Sequence, residues 1–211
     1  MNMFNSVSIY SILIFIVLLF CSKISYKLKL LDFPNKRKSH SSPTAYTGGL
    51  AISICYIFSL IIFNIIENDL NIILSISCLI TIVGFIDDKY NLNTGGKLSL
   101  QIIPIFYLII LENLRLSDVG DYSYFHLILN SFEIPFTLLC VLFLINSFNY
   151  FDGLDGTLSF ASISVLLILY FLSAENNLKL YLIILLLPII IFLIFNFSIF
   201  SVPKLFLGDG G

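Results

Sequence analysis

Leu70 to Lys89 reads LNIILSISCLITIVGFIDDK, an apolar run closed by two adjacent carboxylates, Asp87 and Asp88. A helix needs about 20 mostly apolar residues to cross a bilayer, with about 17 to 25 as the usual range. Residues 70–86 satisfy that length, so the two carboxylates fall at the end of a span rather than at its middle. Six further runs have the same character, at residues 4–22, 49–66, 98–112, 132–148, 158–174 and 178–197. None alternates polar and apolar residues over about ten positions as a barrel strand would. The expected fold is therefore all-α, a polytopic helical bundle of about seven transmembrane helices.

Composition supports that class independently. The chain is 58% hydrophobic and 11% charged, against roughly 25% charged in soluble domains. The formal charge of -2 says little, because where the charges sit matters more than their sum. Cys21, Cys55, Cys78 and Cys140 all lie in apolar runs without metal-ligand spacing, which fits buried thiols rather than a disulfide or redox centre. The first run has no basic residue before it and no small-residue cleavage pattern after it. It reads as a retained anchor whose N-terminus faces out.

Short cytoplasmic loops are enriched in lysine and arginine. One set of alternate loops holds Lys23, Lys27, Lys29, Lys36, Arg37, Lys38, Lys89, Lys97 and Lys204; the other holds only Arg115 and Lys179. The bias places the connections at 23–48, 87–97, 149–157 and 198–211 in the cytoplasm. Those connections also carry every polar cluster: DFPNKRKSH from Asp32, GFIDDK from Gly84, NSFNYFDGLDG from Asn146 and GDGG from Gly208. The opposite loops, including 113–131, show no comparable pattern.

Each cluster has its own chemistry. Neighbouring helical residues point about 100° apart, so Asp87 and Asp88 should not share one role; one can bind a metal while the other takes a proton or positions a cation. Asn146, Asn149, Asp152 and Asp155 recur every third residue, which on a helix makes one slowly drifting stripe of oxygen acceptors. Gly153 and Gly156 beside the carboxylates allow a helix break or a close backbone approach. Asp209 sits between glycines after Pro203 and Lys204. Such hard oxygen donors suit Mg²⁺, which takes one or two carboxylates and completes its shell with water and phosphates. Lys36, Arg37, Lys38 and His40, framed by Pro34, Pro43 and the glycines of TGGL, offer the opposite charge for phosphate oxygens. A transporter or channel subunit is the competing class. It predicts ionisable groups at span midpoints and related halves, whereas these spans are clean at their centres and no internal repeat is visible.

Taken in order, DFPNKRKSHSSPTAYTGG (from Asp32), GFIDDKYNL (from Gly84), NSFNYFDGLDGT (from Asn146) and FLGDGG (from Phe206) resemble the motifs of the polyprenyl-phosphate N-acetylhexosamine-1-phosphate transferases. The first motif is similar to that of the branch using UDP-N-acetylglucosamine and related sugars. The resemblance implies transfer of a sugar-1-phosphate from a UDP-N-acetylhexosamine to undecaprenyl phosphate with release of UMP. It implies Mg²⁺, with Mn²⁺ as a substitute, a site on the cytoplasmic face of the plasma (inner) membrane, and no nucleic-acid partner. Carried over by motif, Asp87 and Asp88 are catalytic carboxylates, with Asp87 the base. Asp209 and Asp88 hold the metal, and Asn149, Asp152 and Asp155 shape the nucleotide-sugar site. Arg37, Lys38 and His40 meet phosphates. The sugar and the glycan pathway stay open. Family members continue through further helices and a histidine-bearing loop, so residues 1–211 are expected to form one transmembrane catalytic domain that is incomplete at its C-terminus. Its own activity is therefore in question, an inactive fragment being the alternative.

Overall fold

The computed structural model describes residues 3–34, 42–63 and 68–211. Seven helices account for most of it: α1 (Met3–Leu28), α2 (Gly48–Phe63), α3 (Asn68–Tyr90), α4 (Thr94–Ile110), α5 (Glu133–Phe151), α6 (Thr157–Leu172) and α7 (Asn176–Asn196). Each coincides with one of the apolar runs. Four helical stretches are long and apolar enough to cross a membrane, Phe4–Leu28, Leu70–Tyr90, Asn130–Phe151 and Asn176–Asn196, while α2, α4 and α6 are shorter. The expectation of about seven spans is thus met in number of helices, but not in length for these three.

Two small antiparallel pairs interrupt the all-helical plan: β1 (Leu31–Asp32) with β2 (Thr44–Ala45), and β3 (Asp118–Tyr122) with β4 (Phe125–Ile128). The second lies in the loop 113–131, for which the sequence pattern predicts nothing. Helix α1 outruns its apolar stretch by a turn and a half because Lys23 and Lys27 are good helix formers. It ends where Lys29 turns left-handed (φ 58°) and the Leu30 N–H reaches back to the Ser25 carbonyl, a closure that satisfies orphan carbonyls.

Helices α1, α2 and α7 pack on one another; α3 lies on α2, α4 on α3, α5 on α4 and α6 on α7. The buried core runs through Tyr10, Ile14 and Leu18 of α1, Cys55 of α2, and Ile184 and Phe192 of α7. Pro188 sits inside α7 and cannot donate to the Ile184 carbonyl one turn back. The Tyr10 hydroxyl reaches that carbonyl at 3.5 Å, and the Tyr56 hydroxyl donates to the neighbouring Leu185 carbonyl at 3.1 Å. Tyr10 therefore reaches the carbonyl that lost its helix donor, as an apolar surrounding requires, and Tyr56 adds a bond at the next carbonyl.

After α7 the chain returns as residues 202–211 across the end of α2. The first N–H groups of a helix have no partner inside it. Here Gly48 and Gly49 donate to the carbonyls of Phe206 and Leu207, both at 2.9 Å, and Phe206 donates to the Ala45 carbonyl at 2.8 Å. Leu205 and Leu207 enter the core. That docking carries Asp209 to the end of α3.

Candidate active site

Asp87 and Asp88 stand in the last turn of α3, and Asn91 to Asn93 lead directly into α4. The Asn93 side chain accepts the Gly96 N–H at 2.7 Å and so starts α4. This short connection places Lys97, in the first turn of α4, against the acids of α3. Its Nζ lies 2.8 Å from Asp87 Oδ2 and 2.5 Å from Asp209 Oδ2. Asp87 Oδ1 accepts the Leu92 N–H at 2.9 Å, and Asp88 Oδ2 accepts the backbone N–H of Asp209 at 2.8 Å. Three carboxylates and one ammonium from the end of α3, the start of α4 and the 202–211 segment thus form a connected cluster.

The three carboxylates of the cluster form one wall of a cleft of about 950 Å³. Asn149, Asp152, Asp155 and Tyr46 line it as well. Helix α5 ends at Phe151 with Asp152 as its C-cap, and Gly156 turns left-handed (φ 77°) to begin α6. The stripe read from the sequence is therefore partly helix and partly turn. Asn149 and Asp152 reach the cleft, but Asn146 is turned away, donating to Gln101 Oε1 at 3.0 Å and to the Leu142 carbonyl at 2.8 Å. Asp155 is paired with Lys204 at 2.5 Å on the rim. Burial, reinforced by the negative charges of Asp209 and Asp155, pushes the Asp152 carboxyl up to about 6. Burial likewise raises Asp209, against the opposing pull of Lys97.

Glycines admit the close approach on which the cluster depends. A Cβ on Gly84 would strike the Asp209 carbonyl, and one on Gly49 would strike Gly211. Gly208 adopts φ 72° and passes within reach of Asp88 Oδ2. Larger residues at Gly49 and Gly84 would hold the 202–211 segment off α2 and α3.

Arg37, Lys38 and His40 lie outside the described residues. Their segment leaves and rejoins the described chain beside the β1–β2 pair, whose Asp32, with Phe33, lines the cleft. Sequence reasoning counted Lys97 only as a topological charge. A signal was available: a lysine in a first helical turn opposes the helix dipole, and the first turn of α4 contains no acid to compensate it. Asn196 was also missed. It is buried, donates to the Leu205 carbonyl at 3.1 Å and borders the cleft.

The donor set fits a divalent cation in one respect. Asp87 Oδ2 and Asp209 Oδ2 converge on a single cationic centre, now the Lys97 ammonium, and the open cleft beside them leaves room for water and phosphate oxygens. Two carboxylates with most of the shell left to other oxygens is what Mg²⁺ accepts. Among the described residues no cluster of three or more His, Cys, Asp or Glu side chains forms a self-sufficient metal cage.

A second, mostly apolar cavity of about 320 Å³ lies among α2, α3, α5, α6 and α7 and shares Asn149, Leu207 and Asp209 with the cleft. Polar and apolar compartments therefore meet at these three residues.

Comparison with known proteins adds a family and relatives. The family described as glycosyl transferase family 4 matches residues 70–211. The undecaprenyl-phosphate alpha-N-acetylglucosaminyl 1-phosphate transferase of Escherichia coli O157:H7 is 28% identical, over 98% of this chain and 58% of its own length. The protein of that name from Yersinia pestis is 28% identical over 96% and 57%. A probable undecaprenyl-phosphate N-acetylglucosaminyl 1-phosphate transferase of Bacillus subtilis (strain 168) is 28% identical over 90% and 53%. The chain thus spans somewhat more than half the length of the curated relatives it matches.

Proposed function

The chain belongs to glycosyl transferase family 4, and from that membership we propose that it transfers a sugar-1-phosphate, N-acetylglucosamine-1-phosphate in the first instance, from a UDP-sugar to undecaprenyl phosphate. The observation that carries this reading is the convergence of Asp87, Asp88 and Asp209 on one cleft at the end of α3, with Lys97 bridging Asp87 and Asp209. The shared border with an apolar cavity supports it, because a lipid chain can lie there while its phosphate faces the acids. The charge bias of the loops supports a seven-span topology with this cleft on the cytoplasmic side of the plasma (inner) membrane, where a nucleotide sugar is available. Such a transfer would serve envelope polysaccharide synthesis.

In the proposed reaction an oxygen of the lipid phosphate attacks the sugar-linked phosphorus, the bond from that phosphorus to the bridging oxygen breaks, and UMP leaves with that oxygen. Positioning and charge neutralisation supply most of the acceleration in such displacements. The sequence reading gives the metal to Asp209 and Asp88; the approach of Asp87 Oδ2 and Asp209 Oδ2 to one cationic centre supports Asp87 beside Asp209 instead, with Asp88 at the edge, and the bound cation would neutralise the diphosphate. Lys97, released from the two carboxylates, is placed to meet phosphate oxygens as a point charge. The sequence reading makes Asp87 the proton acceptor. In this arrangement we assign the proton to Asp88 instead, since Asp87 would commit one oxygen to Leu92 N–H and the other to the cation, whereas Asp88 commits only Oδ2, to the Asp209 N–H. Only a modest base is needed, because the second pKa of a phosphate monoester is about 6. Asn149 and Asp152 would bind the nucleotide sugar, and Arg37, Lys38 and His40 would approach its phosphates from the first loop.

The test is UMP release from UDP-N-acetylglucosamine by the protein in membranes supplied with undecaprenyl phosphate and Mg²⁺. Asp87→Asn, Asp88→Asn and Asp209→Asn should each abolish it. Turnover unchanged in all three overturns the reading.

A further inference from the structure

The β3–β4 hairpin stands apart from the helical body. Its strands are largely exposed on both faces, and Tyr122, Tyr124, Phe125 and Leu127 are all open, Tyr124 to 99%. An isolated two-stranded ribbon is marginal in water. The internal ties here are few: the Tyr122–Phe125 ring stack at 5.2 Å and the His126–Asp118 pair at 2.8 Å. Something beyond the described residues should cover so aromatic a ribbon.

Three observations identify the cover. The hairpin is tethered at both ends to apolar helices, α4 before it and α5 after it. Its base is not raised above α5: the Leu116 N–H donates to Thr137 Oγ1 at 2.9 Å, and Thr137 lies a full turn inside the membrane-length stretch Asn130–Phe151, about 6 Å past Glu133 at the helical rise. Exposed apolar side chains also flank it along the chain, Tyr107 and Leu111 before it and Phe132 and Phe136 after it. Tyrosine and other aromatic rings with one wet and one apolar end are favoured at the level of lipid headgroups.

We propose that the β3–β4 hairpin lies in the lipid interface on the membrane side opposite the cleft, with Tyr122, Tyr124 and Phe125 seated among headgroups. The side follows from α5, which belongs to a membrane-length stretch: the hairpin precedes its first turn, while Asp152 at its other end lines the cleft. The lipid surface it fits is zwitterionic. No lysine or arginine occurs between Leu116 and Ser131, and Arg115 is already paired with Glu133 at 2.9 Å, so anionic headgroups have nothing to grip. The proposal rests on α4 and α5 being membrane-embedded, not on the transferase reading.

The chain contains no tryptophan, so a single introduced indole reports its own surroundings. Tyr124→Trp replaces a side chain that packs against nothing, and should fold as the parent does. In zwitterionic vesicles its emission should be blue-shifted, insensitive to salt, and quenched more by lipids brominated near the headgroup than by lipids brominated near the chain ends. Phe143→Trp, at an exposed position in the middle of α5, should show the reverse order and serves as the embedding control. Emission typical of water at position 124, with quenching by iodide and none by brominated lipid, overturns the proposal. A blue shift that vanishes on diluting the protein in lipid would mean a second copy covers the hairpin, and overturns it too. Failure of the Phe143→Trp control would instead refute the embedding of α5.

Discussion

The backbone N–H of Asp209 donates to Asp88 Oδ2 at 2.8 Å, joining the last turn of α3 to a segment 121 positions further along the chain. This bond, with Lys97 between Asp87 and Asp209, joins an adjacent pair of acids and a distant third into one site. Neither would form if the 205–207 stretch did not cap α2.

Lys97 separates two carboxylates that would otherwise repel. Lys97→Met should lower UMP release by about 10²- to 10³-fold, the usual cost of losing one preorganised charge at a phosphoryl or oxyanion site. Lys97→Arg should recover only part of it, because a forked guanidinium does not reproduce a point charge between two oxygens. Initial rates of UMP release measure both. Near-parental activity in Lys97→Met would show that the ion pair is merely structural.

Gly84 lies where Asp209 crosses α3. Gly84→Ala should displace Asp209, abolish turnover and lower the thermal midpoint in detergent. The contrasting variant is Gly95→Ala, whose added methyl meets only Asn93 Oδ1 at 3.8 Å. It should be neutral or stabilising by up to about 1 kcal/mol, the helix-propensity difference between the two residues.

In the folded chain Asp152 holds its proton up to about 6, against 3.8 for an ordinary aspartate. Between those values the folded state binds more protons than the unfolded state, so stability must fall as pH rises across that window. Thermal midpoints of the metal-free protein measured at steps through that range should decline. Asp152→Asn should flatten the decline, and an unchanged slope in that variant would assign the effect to another group.

The tyrosines facing the Pro188 gap are separable. Tyr56→Phe should cost about 0.5–1.5 kcal/mol, the usual net value of one hydrogen bond. Tyr10→Phe should cost less, since its 3.5 Å contact is at the edge of bonding distance. Denaturant or thermal unfolding of the two variants side by side decides the order.

What could be read from residue order alone was the set of helices, their type and the ends at which the acids sit. Bilayer thickness and the need to satisfy every backbone group within one segment leave an apolar run such as residues 70–86 little choice but a helix. The carboxylates of Asp87 and Asp88 are then forced to its end by their own solvation. The four motifs, each a short local string, carried the expectation of a phosphate-handling site. Tertiary structure alone decided the partners: that Lys97 belongs to the site and bridges Asp87 to Asp209, that Asn146 turns to Gln101, that Asn196 borders the cleft, and that residues 118–128 form a ribbon. These depend on distances between segments up to 121 positions apart. Such distances are set by how α2, α3 and the 202–211 segment pack, and no local periodicity encodes them.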